Sequence, residues 1–176
     1  MRTICTSCGA AGMEVFHAID GVPTNSCILL PTREEALSYP CGDVRLAFCR
    51  HCGFISNIAF DPKLTEYSGR YEETQAFSPT FNAFHDKLAH ALVERHDLHG
   101  KELIEIGCGK GEFLRLLCDL GPNRGLGFDP GYSEARGESQ GSNGFRVIRD
   151  FFSEKYTDRS ADFVACKMTL EHIPTP

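Results

Sequence analysis

Two cysteine pairs are spaced for metal chemistry. Cys5-Thr6-Ser7-Cys8-Gly9 and Cys49-Arg50-His51-Cys52-Gly53 repeat the form C-x-x-C-G. A C-x-x-C turn aims two thiolates at one ion, and the glycine after it permits the tight backbone there. Two such turns supply four sulfurs, the closed tetrahedral set of a structural zinc site. Such an ion leaves no position for water and fixes structure rather than doing chemistry. Two unrelated pairs, or a redox pair, would not account for the repeated glycine. Cys27 and Cys41 are weaker ligand candidates, since neither has a C-x-x-C partner, and read rather as buried apolar thiols.

The second constellation is Leu103-Ile104-Glu105-Ile106-Gly107-Cys108-Gly109-Lys110-Gly111-Glu112-Phe113-Leu114. An apolar run, Leu103 to Ile106, predicts a buried parallel strand. Phe113, Leu114, Leu116 and Leu117 predict an amphipathic helix after the glycines. Strand, glycine turn and helix make the first unit of a nucleotide-binding α/β fold, in which a ligand approaches the main chain and the helix N-terminus. A dinucleotide fingerprint is G-x-G-x-x-G. Here the spacing is G-x-G-x-G, with acidic Glu105 two residues ahead. A carboxylate there repels a pyrophosphate and suits a ligand with a cationic amino group, such as S-adenosylmethionine. A glycine-rich turn without a ligand is the alternative.

Further acids follow at strand ends. Gly125-Leu126-Gly127-Phe128-Asp129 predicts a second strand, with Asp129 about twenty residues beyond the glycines, where a carboxylate can accept both ribose hydroxyls. Asp129 followed by Pro130 also fits a helix cap. Phe145 to Ile148 predicts a third strand, then Asp150-Phe151. That acid and aromatic could bind an adenine amino group and wall its ring, or be a loop acid beside a buried Phe. Asp162 to Lys167 predicts a fourth strand running into Met168-Thr169-Leu170-Glu171-His172. Ligands of open α/β sheets bind at the carboxyl ends of strands, which puts Glu171 and His172 near the pocket mouth. His suits proton transfer near neutral pH; packing and capping are the plainer roles for the pair.

These residues need two supports. Residues 1–60 predict a small zinc-ribbon-like β module stapled by its metal. Within it, Asp20 to Ser26 is turn-rich, Val44, Leu46 and Phe48 alternate as a strand, and Phe54 to Phe60 reads as a strand leaving the second knuckle. Residues 61–77, with Tyr67 and Tyr71, read as a linker or a lid. Residues 78–176 predict the N-terminal half of a Rossmann-like domain. Ser78 caps its first helix, with Pro79 at the first position. Phe81, Phe84, Leu88, Ala91 and Leu92 would form the apolar face of that helix, and His85, His90, His96 and His99 are expected at the surface. Gly121-Pro122-Asn123 should end the next helix, and Gly137 and Gly141 should break the one after the second strand.

The chain has 176 residues, and 41% of them are hydrophobic, as in a globular protein. No apolar run reaches the roughly 20 residues of a membrane span, and no secretory signal is visible, so a cytoplasmic protein is expected. Disulfides are not expected there, despite nine cysteines. The net charge, −6, has the wrong sign for reliance on a phosphate backbone.

From residue 78 onward the sequence resembles the class I S-adenosylmethionine-dependent methyltransferases. The likeness rests on Glu105-Ile-Gly-Cys-Gly-Lys-Gly111, Gly127-Phe-Asp129, Asp150-Phe151, and Asp162-Phe-Val with Leu170-Glu-His-Ile173. With the knuckles in front, the chain resembles the zinc-containing sugar C-methyltransferases, which act beside the ketone of a nucleotide-linked keto-deoxysugar. The resemblance implies that Glu105, Gly107, Cys108, Gly109 and Gly111 hold the methionyl end of the cofactor. It implies that Asp129 with Pro130 meets the ribose, and Asp150 with Phe151 the adenine. It makes His172 the general base and sets Glu171 beside it. One type of the family carries a Tyr three residues before that His; Thr169 stands there, and Tyr67 or Tyr71 would be the replacement phenol.

The family's sheet has seven strands, whereas four are expected here, so a fragment, a truncated chain or a chain completed by a partner is expected. Four strands in the order 3-2-1-4 leave the fourth as an open edge that invites self-association. Two other functions fit parts of the pattern: an RNA methyltransferase gripping its substrate with the zinc module, and a non-catalytic cofactor-binding or assembly module. The charge and the lack of basic clusters around the knuckles argue against nucleic acid.

Overall fold

The computed structural model describes residues 3–25, 27–64, 74–133 and 144–173. The chain divides into two compact units, Met1–Glu72 with Ile173–Pro176, and Glu73–His172. Tyr67, Tyr71, Gly137 and Gly141 lie outside the described residues, as does most of the segment read as a linker or lid.

The first unit is an antiparallel sheet ordered β1-β2-β3, from β1 (Glu14–Pro23), β2 (Cys41–Phe48) and β3 (Ile55–Asn57). The turn-rich reading of Asp20 to Ser26 is corrected: β1 continues to Pro23. A register shift between Ile19 and Val22 accommodates Asp20 and Gly21, and the Gly21 N–H donates to Asp43 Oδ1 at 3.1 Å. An irregularity absorbs residues that a regular ladder rejects, and Pro23 sits where the strand ends. The strand after the second knuckle is shorter than its apolar run predicts. Asn57 Oδ1 accepts from the Arg45 and Ala59 N–H groups, so a side chain takes over from the ladder and turns the chain at residue 57. Helix α1 (Arg33–Ser38) was not anticipated, although Thr32-x-x-Glu35 has the spacing of a capping box; Thr32 Oγ1 accepts from the Glu35 N–H. Cys41 is exposed and Cys27 half-buried, so neither is the buried thiol expected.

The second unit is a parallel sheet ordered β6-β5-β4-β7, from β4 (Glu102–Ile106), β5 (Arg124–Phe128), β6 (Phe145–Ile148) and β7 (Phe163–Ala165). In chain order this is 3-2-1-4, and the switch point lies between β4 and β7. Helices α2 (Pro79–His96) and α3 (Glu112–Leu120) pack on each other, and α3 packs on the sheet. Ser78 caps α2 as expected, accepting from the Phe81 N–H at 3.2 Å.

The core joins Ala89, Val93 and Leu98 to Leu103 of β4, Phe113, Leu114, Leu117 and Cys118 of α3, and Phe145 of β6. The inward face of α2 is therefore rotated from the expected one. Ala89 and Val93 are buried, while Phe84 and Ala91 are exposed. His85 lies on the inward side with Phe81, not at the surface: its ring is 4.2 Å from that of Phe81 and 5.2 Å from that of Phe113. Gly125 is required by closeness, since a Cβ there would lie 2.7 Å from Cys118 Sγ and 2.8 Å from Leu114 Cγ. The fourth strand is shorter than its apolar run, because pairing with β4 ends at Ala165, and Lys167 lies beyond it.

Candidate functional site

The glycine turn joins β4 to α3 at the carboxyl edge of the sheet. Gly107, Gly109 and Gly111 have φ of 69°, 54° and 82°, which an L side chain rarely adopts. The turn hangs on β5: the Gly107 and Cys108 N–H groups both donate to the Phe128 carbonyl, at 2.8 and 3.2 Å. A Cβ on Gly111 would come within 2.5 Å of the Phe145 ring. The Cys108 thiol is buried, and burial pushes its pKa well up, so it is no nucleophile.

Glu105 is the unusual residue. It shares the helix-covered face of β4 with Leu103 and is only 2% exposed. Gly111 provides no side-chain cap for α3, and the Leu114 N–H, free in the first turn of that helix, faces the Glu105 carboxylate. Glu105 Oε2 has no hydrogen-bond partner. Burial pushes its pKa up to about 8, against the pull of the Lys167 charge.

Asp129 follows β5 directly. Its Oδ2 accepts from the Gly109 N–H at 2.9 Å and its Oδ1 from the Gly131 N–H at 2.8 Å. One carboxylate thus locks the glycine turn to the β5 end and retains lone pairs for a ligand's hydroxyls. Pro130 lies within the same turn, and its carbonyl accepts from Arg149 Nε at 3.2 Å. The Asp129 N–H donates to the Ile148 carbonyl, which sets the end of β6 alongside. There Asp150 is already engaged: Lys155 pairs with it, and the Tyr156 hydroxyl donates to Oδ2 at 2.6 Å, holding its pKa below the usual carboxylate range. Phe151 is exposed and not a buried loop Phe.

Glu171 and His172 are exposed, on a short 3-10 turn, Leu170–His172, beyond β7. The His172 N–H donates to the Thr169 carbonyl at 2.9 Å. Thr169 Oγ1 in turn lies 3.3 Å from the Gly107 carbonyl, and a Cβ on Gly107 would collide with the Thr169 side chain. The turn carrying the Glu-His pair is thus fastened to the glycine turn across the switch point.

Several residues here went unrecognised in the sequence. Lys167 lies over two rings, its Nζ 5.2 Å from the Phe113 centroid and 5.9 Å from that of Phe81. Its position just past a strand was the available signal. His85 had no signal beyond its place on a helix, and the Thr74 hydroxyl, 2.9 Å from both carboxylate oxygens of Glu112, had none.

The first unit holds the cysteine cluster. The Sγ atoms of Cys5, Cys8, Cys49 and Cys52 all lie within 4.8 Å of one another. Cys5 and Cys52 are 3.7 Å apart, as are Cys8 and Cys49. Both turns close alike: the Gly9 N–H donates to the Cys5 carbonyl, and the Gly53 N–H to that of Cys49. Backbone N–H groups of Cys52 and His51 lower the Cys49 thiol, whereas the Cys8 thiol is raised, against the Ala10 N–H, by its hydrogen bond with Cys52 and by burial, so the four sulfurs do not ionise alike. Such a set could hold one tetrahedral ion.

A parallel sheet ordered 3-2-1-4, a three-glycine turn after its first strand, a buried acid under that turn and a carboxylate at the next strand end define a class I, Rossmann-like methyltransferase domain. The methyltransferase domain family matches residues 74–176, more than half of the chain, and the chain belongs to that family. It is thereby an S-adenosylmethionine-dependent methyltransferase. No curated protein matches the sequence. Among the described residues, no helix is long and apolar enough to cross a membrane.

Proposed function

We propose that the chain methylates a carbon beside the ketone of a nucleotide-linked deoxysugar, with His172 as general base. The carrying observation is the Thr169–Gly107 contact, which keeps the Glu171-His172 turn against the cofactor turn rather than loose at the sheet edge. Glu105 and the glycine turn would hold the methionyl end of the cofactor, Asp129 with Pro130 the ribose, and Asp150 with Phe151 the adenine. The residues fit that ligand: a buried carboxylate oxygen lacks a partner, and three residues of the turn are glycines with no side chain of their own.

Bound S-adenosylmethionine supplies an electrophilic sulfonium methyl group. Carbon becomes a nucleophile only when the proton beside the carbonyl leaves. The imidazole of His172 takes that proton, and the C–H electron pair passes into the enolate. His172 is exposed, so the sugar itself must cover it and exclude water. Glu171 orients the ring or stays outside the pocket. His172→Asn should abolish methyl transfer across a panel of nucleotide-linked keto-sugars and leave cofactor affinity nearly unchanged. It should also abolish solvent deuterium exchange at the acidic carbon when S-adenosylhomocysteine replaces the cofactor. Exchange at the wild-type rate would remove His172 from the role and make Tyr67 and Tyr71 the next residues to test.

The cysteine cluster completes the reading as a structural zinc site. Sulfurs at about 2.3 Å from a tetrahedral zinc lie about 3.8 Å apart, and two of the Sγ pairs already stand at 3.7 Å.

A further inference from the structure

Three polar groups on the helix-covered side of the sheet lack partners. Glu105 Oε2 and His85 Nε2 are both buried without a hydrogen bond. Among the described residues Lys167 makes no ion pair. These groups share one neighbourhood. The Lys167 charge acts on both Glu105 and His85. Its Nζ lies over the Phe113 and Phe81 rings, between which the His85 imidazole packs. Glu105 is paired in register with Ala165, and Lys167 lies two residues further along. The neighbourhood is the β4–β7 switch point, where ligands of open parallel sheets bind.

An unpaired buried acceptor, an unpaired buried imidazole nitrogen and a free ammonium are costly to keep together unless something joins them. A simple anion or cation would satisfy only one side. An α-amino acid zwitterion offers both charges on adjacent atoms.

We infer that Lys167, with His85, forms the carboxylate seat for the methionyl end of the cofactor, opposite Glu105 Oε2, which takes the ammonium. The inference rests on the S-adenosylmethionine reading and adds the specificity determinant for its amino-acid end. Asp129 and Glu112 raise the Glu105 pKa through their charge, so the surroundings are acidic and suit a sulfonium and an ammonium. They would repel a carboxylate. Lys167 is the cation that offsets them, and the two rings fix its ammonium without consuming it in an ion pair. Burial and the Lys167 charge lower the His85 pKa, which keeps the imidazole neutral with one N–H to donate.

The test is calorimetry on the full chain with S-adenosylmethionine and with decarboxylated S-adenosylmethionine, which keeps the sulfonium and the amino group. Lys167→Met should weaken S-adenosylmethionine by about tenfold or more, the scale of a charge-assisted hydrogen bond. It should leave the decarboxylated ligand unchanged or tighter, because a cation facing a dication is gone. Lys167→Arg should retain most of the affinity, and His85→Phe, which fills the same space, should show a smaller loss with the same ligand preference. Equal losses for both ligands in Lys167→Met would make Lys167 a packing residue and overturn the inference, as would no loss at all. If the wild type binds S-adenosylmethionine and Lys167→Met binds it equally well, only the carboxylate seat falls. If the wild type binds neither ligand, the cofactor reading falls with it.

Discussion

Glu105 is held ready to ionise rather than ionised. Its pKa of about 8 exceeds the unfolded value of about 4.3 because burial disfavours the charge. Below the unfolded value both states carry the proton and nothing is lost. As pH rises from there toward about 8, the unfolded chain releases a proton that the fold retains, so the contribution of Glu105 to stability declines, and it levels off above that pH. Glu105→Gln keeps an acceptor for the Leu114 N–H and cannot ionise. Its melting temperature minus that of the wild type should therefore grow between about pH 5 and about pH 8. A pH-independent difference would show the carboxylate already charged in the fold. An ammonium placed beside Oε2 draws the proton off, so cofactor binding near neutral pH should release protons. Binding heats measured in buffers of different ionisation enthalpy should then differ.

Among the elements, the joint at Asn123 decides more than its loop position suggests. The side chain is buried: its amide donates to the Leu98 and Leu117 carbonyls at 2.9 and 2.8 Å, and its Oδ1 accepts from the Lys101 N–H at 2.8 Å. It ties the chain after α2, the end of α3 and the entry to β4 at one point. In the sequence, Asn123 read only as the end of a helix. Asn123→Ala leaves the Leu98 carbonyl and the Lys101 N–H without their partner, each worth about 1–3 kcal/mol, and leaves the Leu117 carbonyl only the Gly121 N–H. Urea unfolding should show a loss of about 3 kcal/mol or more, whereas an exposed Asn replaced in the same way should cost under about 0.5 kcal/mol. A loss in that lower range would mean that water replaces the amide.

Taken whole, the molecule has a unit with an ordinary core and a unit with almost none among the described residues. Among the described residues, the buried hydrophobic ones of the first unit are Cys5, Ile28, Ala47 and Cys49, and two of these are candidate metal ligands. So little burial is short of what a three-stranded sheet needs, and in the proposed reading a metal at the four cysteines supplies the rest. Elemental analysis should find one zinc per chain, and a strong chelator or Cys49→Ser should remove the amide-exchange protection of β1 to β3. Metal-free protein with those amides still protected would refute the staple. The sequence by itself determined what depends on neighbours along the chain. The C-x-x-C-G knuckles, the glycine turn after Ile106 and the Ser78-Pro79 helix start are local, because each is fixed by the conformations its own residues allow. The strand order 3-2-1-4 is expected from the resemblance to the class I methyltransferases, and the parallel sheet has it. What only the tertiary structure decided depends on residues far apart in sequence. His85 turned inward because α3 offers Phe113 across from it. β1 ran on through Gly21 because Asp43 of the next strand takes up the freed N–H. Lys167 became part of the site because β7 pairs beside β4 and ends at Ala165, which leaves the next residues to turn over the glycines. Such contacts form only when folding closes long loops, so residue type and spacing carry no record of them.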